Sequence, residues 1–127
     1  MDLENRNRSQ IFHFDEGYLC SLDVDLESNE AQWGSVLVPE AQNLGLCVYD
    51  WSISIFLNDL VWVFSRFDKN FTVDPRNLKL TMLAESGVKR CSFSVIYDQK
   101  EYIYVIGGVV APKNPTSISQ RLNMATK

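Results

Sequence analysis

The sequence has few of the residues on which metal sites and catalytic centres usually depend. It contains one histidine, His13, and three cysteines, Cys20, Cys47 and Cys91, which are widely spaced and form no Cys-x-x-Cys pair. No other metal-binding residue lies near His13 at a recognisable spacing. We therefore expect reduced cysteines, a structural histidine, no metal, no cofactor and no enzymatic activity.

Long hydrophobic runs are also missing. Apolar stretches such as Tyr102–Ile106 are far shorter than the roughly 20 residues that a membrane helix needs. The N-terminal segment 1–9 is polar and has neither the apolar centre nor the cleavage site of a secretory signal. We therefore expect a cytoplasmic protein without a membrane partner.

The charge of the chain is acidic and unevenly placed. Its net charge is −4, and it lacks the basic surface that sequence-independent nucleic-acid binding requires, so we expect no nucleic-acid partner. Residues 1–40 carry nine acids and two bases, whereas residues 41–127 carry seven acids and ten bases. This asymmetry could orient a partner electrostatically, and a mixed solvated surface explains it as easily.

What the sequence does contain is a series of short apolar segments rich in aromatic and β-branched residues. Asn, Asp, Gly, Ser or Pro bounds each segment, which is typical of strands joined by turns, and few segments have helical spacing. We predict an all-β protein without a clear helix. Its ten predicted strands are Gln10–Phe14, Leu19–Val24, Gln32–Val38, Leu44–Tyr49, Leu60–Phe64, Asn70–Val73, Leu78–Met82, Cys91–Tyr97, Tyr102–Ile106 and Ser117–Leu122.

Several of these strands repeat along the chain. Aromatic residues fall in register in three of them: Phe12, Trp62 and Tyr104. Short polar residues end three others at intervals of 49 residues: Asp25, Asp74 and Asn123. Such side chains can bond the backbone amides that follow and set the turn into the next strand. A period near 49 residues with four strands per unit predicts the blades of a β-propeller.

Two glycines follow the last aromatic strand. We expect Gly107 and Gly108 to adopt positive φ, or to lie where neighbouring backbones leave no room for a Cβ. The segment 109–116, VVAPKNPT, holds two prolines and no pattern, so we predict an exposed loop. The segment 51–56 is likewise predicted to be an insertion between strands.

With these features the chain resembles the kelch-repeat β-propeller family. The best match is 91–127, where CSFSVIYDQKEYIYVIGG precedes SISQRLNMATK. Trp33 fits the last-strand tryptophan of a first blade, whereas Ser65 and Arg66 replace the glycine doublet in the second. The resemblance implies an antiparallel partial propeller of the kelch type. Its units are an incomplete blade at 10–38, a degenerate blade at 44–83, and the best-matching blade at 91–127, which lacks its last strand.

Three, four and three strands make about two and a half blades, and propellers close with about four to eight. The two end blades would each expose an apolar face, which remaining blades or another chain must cover. We therefore expect a fragment or truncated product of a larger propeller protein in preference to a piece completed by other copies.

The resemblance implies a non-catalytic interaction module that binds a protein partner through the loops between strands. Ubiquitin-ligase substrate recognition and cytoskeletal scaffolding are both open, and the partner is unknown. The candidate binding residues are Arg66, Lys89, Arg90, Lys113 and Asn114. The candidate structural residues are Gly107, Gly108, Trp33, Tyr104, Asp74 and Asn123. We expect four aromatic residues in the core: Trp33, Trp62, Phe93 and Tyr104.

Two alternatives remain. The chain could be a truncated or structural remnant without its own activity, as the lost glycine doublet indicates. It could also be part of an enzyme resembling galactose oxidase, which would need Tyr, Cys and His ligands around a metal. The single histidine argues against this second alternative.

Overall fold

The computed structural model describes residues 8–44, 52–65, 68–110 and 114–127. Within them lie thirteen strands and one short helix. The elements are β1 (Arg8–Asp15), β2 (Tyr18–Asp25), β3 (Glu30–Leu37), α1 (Pro39–Asn43), β4 (Ser52–Leu57), β5 (Leu60–Ser65), β6 (Phe71–Val73), β7 (Leu80–Met82), β8 (Arg90–Cys91), β9 (Ser94–Tyr97), β10 (Tyr102–Ile106), β11 (Val109–Val110), β12 (Asn114–Pro115) and β13 (Ser119–Asn123).

The described strands form four antiparallel sheets, so the predicted all-β class is confirmed. Sheet 1 has the order β1-β2-β3, sheet 2 the order β4-β5-β6-β7, and sheet 3 the order β13-β10-β9. A small sheet joins β12, β11 and β8. The three main sheets contain three, four and three of the described strands, and one of the four strands of sheet 2, β4, was not among the predicted strands.

Sheet 2 lies between the other two sheets, and the alternation of side chains along β5 explains why. Val61 and Val63 pack into a first core with residues of sheet 1, such as Phe14. Trp62 and Phe64 point to the opposite face and pack into a second core with residues of sheet 3. The three sheets are therefore stacked face to face, and both faces of β5 are covered.

Sheet 1 is fixed to sheet 2 by aromatic and polar contacts. The rings of Phe14 and Phe71 meet edge to face with centroids 5.0 Å apart, and those of Phe12 and Phe56 lie 4.9 Å apart. At the adjoining edges, the Ser54 hydroxyl accepts a hydrogen bond from the backbone N–H of Phe14 at 3.2 Å. These contacts place β1 beside β4.

The strand β4 corrects one prediction. The segment 51–56 was expected to be an insertion, but Ser52–Leu57 pairs with β5 as the first strand of sheet 2. Asn58 and Asp59 connect the two strands, and both have positive φ (51° and 62°), as in the type I′ turn of a tight hairpin. The strand predicted at Leu44–Tyr49 does not start as expected, since Leu44 lies in a turn, and residues 45–49 lie outside the described part of the chain.

Three further expectations are corrected locally. The helix α1, which was not predicted, begins at Pro39, where the fixed φ of proline suits the first helical turn. The predicted strand Cys91–Tyr97 is divided into β8 and β9 because Ser92 has a φ of 55°. The predicted loop 109–116 contains two-residue strands, β11 and β12, which pair with each other.

The turn residues lie as predicted. The carboxylate of Asp25 accepts the N–H of Glu27 at 3.0 Å, and the Asn123 side chain accepts the N–H of Ala125 at 2.9 Å. Asp74 accepts the N–H of Arg76 at 2.9 Å and also bonds its guanidinium. These residues stabilise the turns by bonding the amides two residues on, because their side chains are short enough to reach back.

Two of the four aromatic residues expected in the core, Trp33 and Tyr104, lie outside the two core clusters. The Trp33 side chain is 76% exposed, whereas Trp62 is 1% exposed and donates a hydrogen bond from Nε1 to the Leu57 carbonyl. Trp33 lies on β3, at the edge of sheet 1, on the face directed away from sheet 2. No described residue covers that face. Phe93 is buried as expected, and Tyr104 is half-buried.

Candidate functional site

The connections between strands converge around a cavity of about 350 Å³ where sheets 2 and 3 meet. We call this feature the rim cavity. Its apolar wall comes from both sheets and includes Phe64, Phe93 and Leu122. Its polar wall comes mainly from the connections and strand ends, and it includes two buried charged residues, Asp68 and Arg90. A cavity with both kinds of wall can hold an apolar group and hydrogen-bond its polar neighbours.

Asp68 organises the connection that follows β7. One carboxylate oxygen accepts hydrogen bonds from the Asn70 amide at 3.0 Å, the Ser86 N–H at 3.0 Å and the Ser86 hydroxyl at 2.7 Å. The other oxygen accepts the Gly87 N–H at 2.7 Å. Burial raises the pKa of Asp68, but the bonds from Ser86, Gly87 and Asn70 outweigh burial and hold the pKa below its ordinary value. Asp68 is therefore a carboxylate at neutral pH.

Arg90 secures the opposite wall, and its position corrects a prediction. It was expected on a loop surface, but it begins β8 and is only 4% exposed. Its guanidinium donates to the carbonyls of Ile118 at 2.7 Å and Gly107 at 3.3 Å, and to the side chain of Gln120. Burial lowers its pKa, and the charge of Asp68 acts in the opposite direction. Arg90 thus holds strand ends in place and is not available as a free surface cation.

Gln120 connects the two charged groups. Its amide accepts from Arg90 and donates to the Ser86 carbonyl at 2.9 Å, while Ser86 bonds Asp68. This chain of bonds joins the β5–β6 connection, the β7–β8 connection and the start of β13. The two charged ends of this network, Asp68 and Arg90, are buried and multiply hydrogen-bonded, so they hold the polar wall of the rim cavity in place.

The exposed groups around the cavity are of both signs. Lys69 and Glu85 form an ion pair across two connections, and both side chains are about half exposed. The hydrogen bond to Glu85 raises the pKa of Lys69, which is therefore a cation at neutral pH. Lys89 is exposed immediately before β8, and Asn114 is exposed on β12.

The small sheet brings three predicted binding residues close together. Val110 pairs with Arg90 on one side and with Asn114 on the other, and Lys89 precedes Arg90. The predicted binding residues Arg66 and Lys113 lie outside the described residues. The predicted structural residues Asp74 and Asn123 lie at the other ends of their strands, away from the small sheet.

The glycine doublet supports the small sheet. Gly107 has a φ of 68° and Gly108 a φ of 95°, so both adopt the predicted left-handed conformation. A Cβ on Gly108 would lie 2.6 Å from the Cys91 carbonyl oxygen and 3.1 Å from the Phe93 Cβ. Both predicted reasons for glycine therefore hold at this position.

The other chemistry-bearing residues lie apart from the cavity. His13 is exposed on β1, and its Nδ1 lies 2.9 Å from the Ser54 hydroxyl. Cys20 and Cys91 are half-buried thiols that form no disulfide. The pKa of the Cys20 thiol is raised, mainly by burial and to a smaller extent by the negative charge of Asp15. In the described ranges, no group of three or more His, Cys, Asp or Glu residues could hold a metal ion. None of the helical residues described forms a segment of the length and hydropathy needed to cross a membrane.

Sequence reasoning missed Asp68, Ser86 and Gln120. Asp68 bonds residues 18 and 19 positions away, and Gln120 bonds residues 30 and 34 positions away. No local pattern marks such long-range partners. No protein-family model matches the chain, and no curated protein matches its sequence.

Proposed function

We propose that this chain is a section of a kelch-type β-propeller and acts as a non-catalytic module that binds another protein. Three observations support the architecture: the face-to-face stack of sheets, the polar turn residues at repeated positions, and the close packing around Gly108. In this proposal, remaining blades or another chain cover the open faces of sheets 1 and 3.

One observation carries the proposed binding function. The rim cavity combines a fixed polar framework, an apolar wall and exposed groups on the surrounding connections. Its buried charges are paired with internal donors and acceptors, so they shape the cavity and leave the exposed residues to make contacts. An apolar side chain of a partner fits the apolar wall. Lys89 is flanked by two lining residues, Val88 and Arg90, and Asn114 lies two strands from Arg90 in the small sheet, so in this proposal both contact the partner beside the cavity.

Site-specific photocrosslinking tests this proposal. A photoreactive phenylalanine analogue is placed at Lys89 or Asn114, in the protein at its natural length and in its own cells. Matched variants carry the same analogue at Lys79 or Lys100, which are exposed in turns at the other ends of the strands. We expect the Lys89 and Asn114 positions to give one common protein adduct, and the other two positions to give none of it.

The result that contradicts the proposal is equally defined. Either no adduct forms from Lys89 and Asn114, or the same adduct forms with similar yield from Lys79 and Lys100. An Arg90→Lys variant then tests whether the hydrogen bonds of the buried guanidinium shape the binding site. Lysine cannot reproduce the guanidinium's bonds to Gly107, Ile118 and Gln120, so the adduct should weaken if the framework shapes the site.

A further inference from the structure

The outer face of sheet 1, directed away from sheet 2, is apolar and uncovered among the described residues. Ile11, Leu22 and Trp33 are paired in register across its three strands, so their side chains form one row. Ile11 is 60% exposed, and Trp33 is the most exposed large apolar residue in the described chain. Tyr18 and Leu37 form a second exposed pair on the same face. A contiguous apolar row of this kind is typical of an interaction surface.

The outer face of sheet 3 is the second such surface. Ile96, Tyr104 and Arg121 are paired in register across β9, β10 and β13. Tyr102 lies two residues from Tyr104 on the same face, and the Arg121 guanidinium lies 4.5 Å from the centre of its ring. The two end sheets therefore both present aromatic and β-branched residues outwards.

The two outer faces have opposite charge. On the faces themselves, the charged strand residue is Asp15 on sheet 1 and Arg121 on sheet 3. The charged residues of the two faces are therefore complementary, whereas two copies of the same face would bring like charges together.

We propose that the outer faces of sheets 1 and 3 are the two halves of one interface, which a second copy of this chain completes head to tail. Inside the chain, each sheet already packs its apolar face against the next sheet. Sheet 3 of one copy against sheet 1 of the next continues that stacking in the same direction. Because the two halves differ, the contact is heterologous and gives rings or open chains, not a symmetric dimer. This inference assigns a second copy, in place of remaining blades, to the open faces of sheets 1 and 3, and it does not depend on partner binding at the rim cavity.

The size of the faces sets the strength of the contact. Three strands about 4.8 Å apart, with about 3.3 Å per residue, give sheet 1 a face of roughly 14 by 26 Å and sheet 3 a smaller one. Such a contact is below the roughly 800 Å² per partner of a standard stable interface. We therefore expect weak association, and measurements at roughly 10 to 500 µM protein cover the range in which such a contact is detected.

Two variants, each with one face disrupted, test the proposal. Trp33→Glu disrupts the outer face of sheet 1, and Ile96→Glu disrupts that of sheet 3, while Met82→Glu changes an exposed apolar residue of sheet 2 as the control. Sedimentation velocity of the purified chain, with circular dichroism to confirm folding, gives the association state. The wild type and Met82→Glu should associate beyond the 14.6 kDa monomer as concentration rises.

The decisive measurement mixes the two variants. Alone, Trp33→Glu and Ile96→Glu should each sediment as monomers at concentrations where the wild type associates. Each should have a dissociation constant for self-association that is raised at least tenfold. Together they should form a one-to-one dimer and nothing larger, because one intact sheet 3 meets one intact sheet 1. A monomeric wild type, a variant that still associates alone, or a mixture that stays monomeric would overturn the proposal.

Discussion

At Gly108 the described structure leaves no room for a Cβ atom. The φ of Gly108, 95°, is unfavourable for any residue with a Cβ, and a Cβ there would lie 2.6 Å from the Cys91 carbonyl oxygen. Gly87 has nearly the same φ, 83°, but no heavy atom beyond its chain neighbours lies within 4 Å of the position that a Cβ would take. The pair therefore separates the cost of the backbone conformation from the cost of the steric clash.

The expected magnitudes follow from these two costs. A left-handed φ costs a non-glycine residue about 1–2 kcal/mol, which applies to both Gly87→Ala and Gly108→Ala. Forcing an atom into filled space costs about 1–3 kcal/mol more, and this applies to Gly108 alone because the atom it meets is backbone. We expect Gly108→Ala to lower the free energy of unfolding by about 2–5 kcal/mol and Gly87→Ala by about 1–2 kcal/mol.

Urea denaturation measured by circular dichroism tests this difference. With a slope of about 1–3 kcal/mol per molar urea, a difference of about 2 kcal/mol moves the midpoint by about 1 M. Measurements at low protein concentration keep self-association out of the comparison. Equal midpoints for Gly87→Ala and Gly108→Ala would refute the close approach of β8 to the glycine doublet.

Four other substitutions have defined outcomes. Because the pKa of Asp68 is lowered in the folded state, its carboxylate stabilises the fold above about pH 4, and this stabilisation is lost as the pH falls through the folded-state pKa. In Asp68→Asn the free energy of unfolding should therefore depend less on pH at the acid end of a pH–stability curve. The substitution should also cost about 1–3 kcal/mol at pH 7, because an amide cannot accept all four bonds. Trp62→Ala should cost about 3–5 kcal/mol in urea denaturation, and Trp33→Ala less than about 0.5 kcal/mol, reflecting burial and exposure. Lys69→Ala should leave the urea midpoint almost unchanged, because its ion pair with Glu85 is half exposed and screened by water. A clear shift of the midpoint would mean that this ion pair is shielded from water.

Features with local causes could be predicted from the sequence. Asp25, Asp74 and Asn123 bond amides two residues ahead, so the residue type and its place at a strand end were sufficient. The glycine doublet was predictable for a similar reason, because few other residues adopt positive φ. The all-β class follows from short β-branched and aromatic segments between turn residues.

Features that depend on distant residues could not be predicted. Arg90 follows Lys89 in a polar segment, which is typical of a surface loop, and its burial depends on carbonyls 17 and 28 residues away. β4 was missed because the repeat alignment assigned its place in the blade to Leu44–Tyr49. The Asn58–Asp59 turn was the local signal that would have identified the hairpin. Trp33 was expected in the core because its residue type alone does not show which face of a sheet is covered.

Amide hydrogen exchange tests the stacked arrangement of the three sheets most directly. β5 is hydrogen-bonded on both edges, to β4 and β6, and its side chains are buried on both faces. At concentrations of about 1 µM, where we expect monomers, the amides of β5 should exchange slowest and those of β3 should exchange much faster. If β3 were as protected as β5 under these conditions, sheet 2 would not be the middle layer and the account of the fold would be wrong.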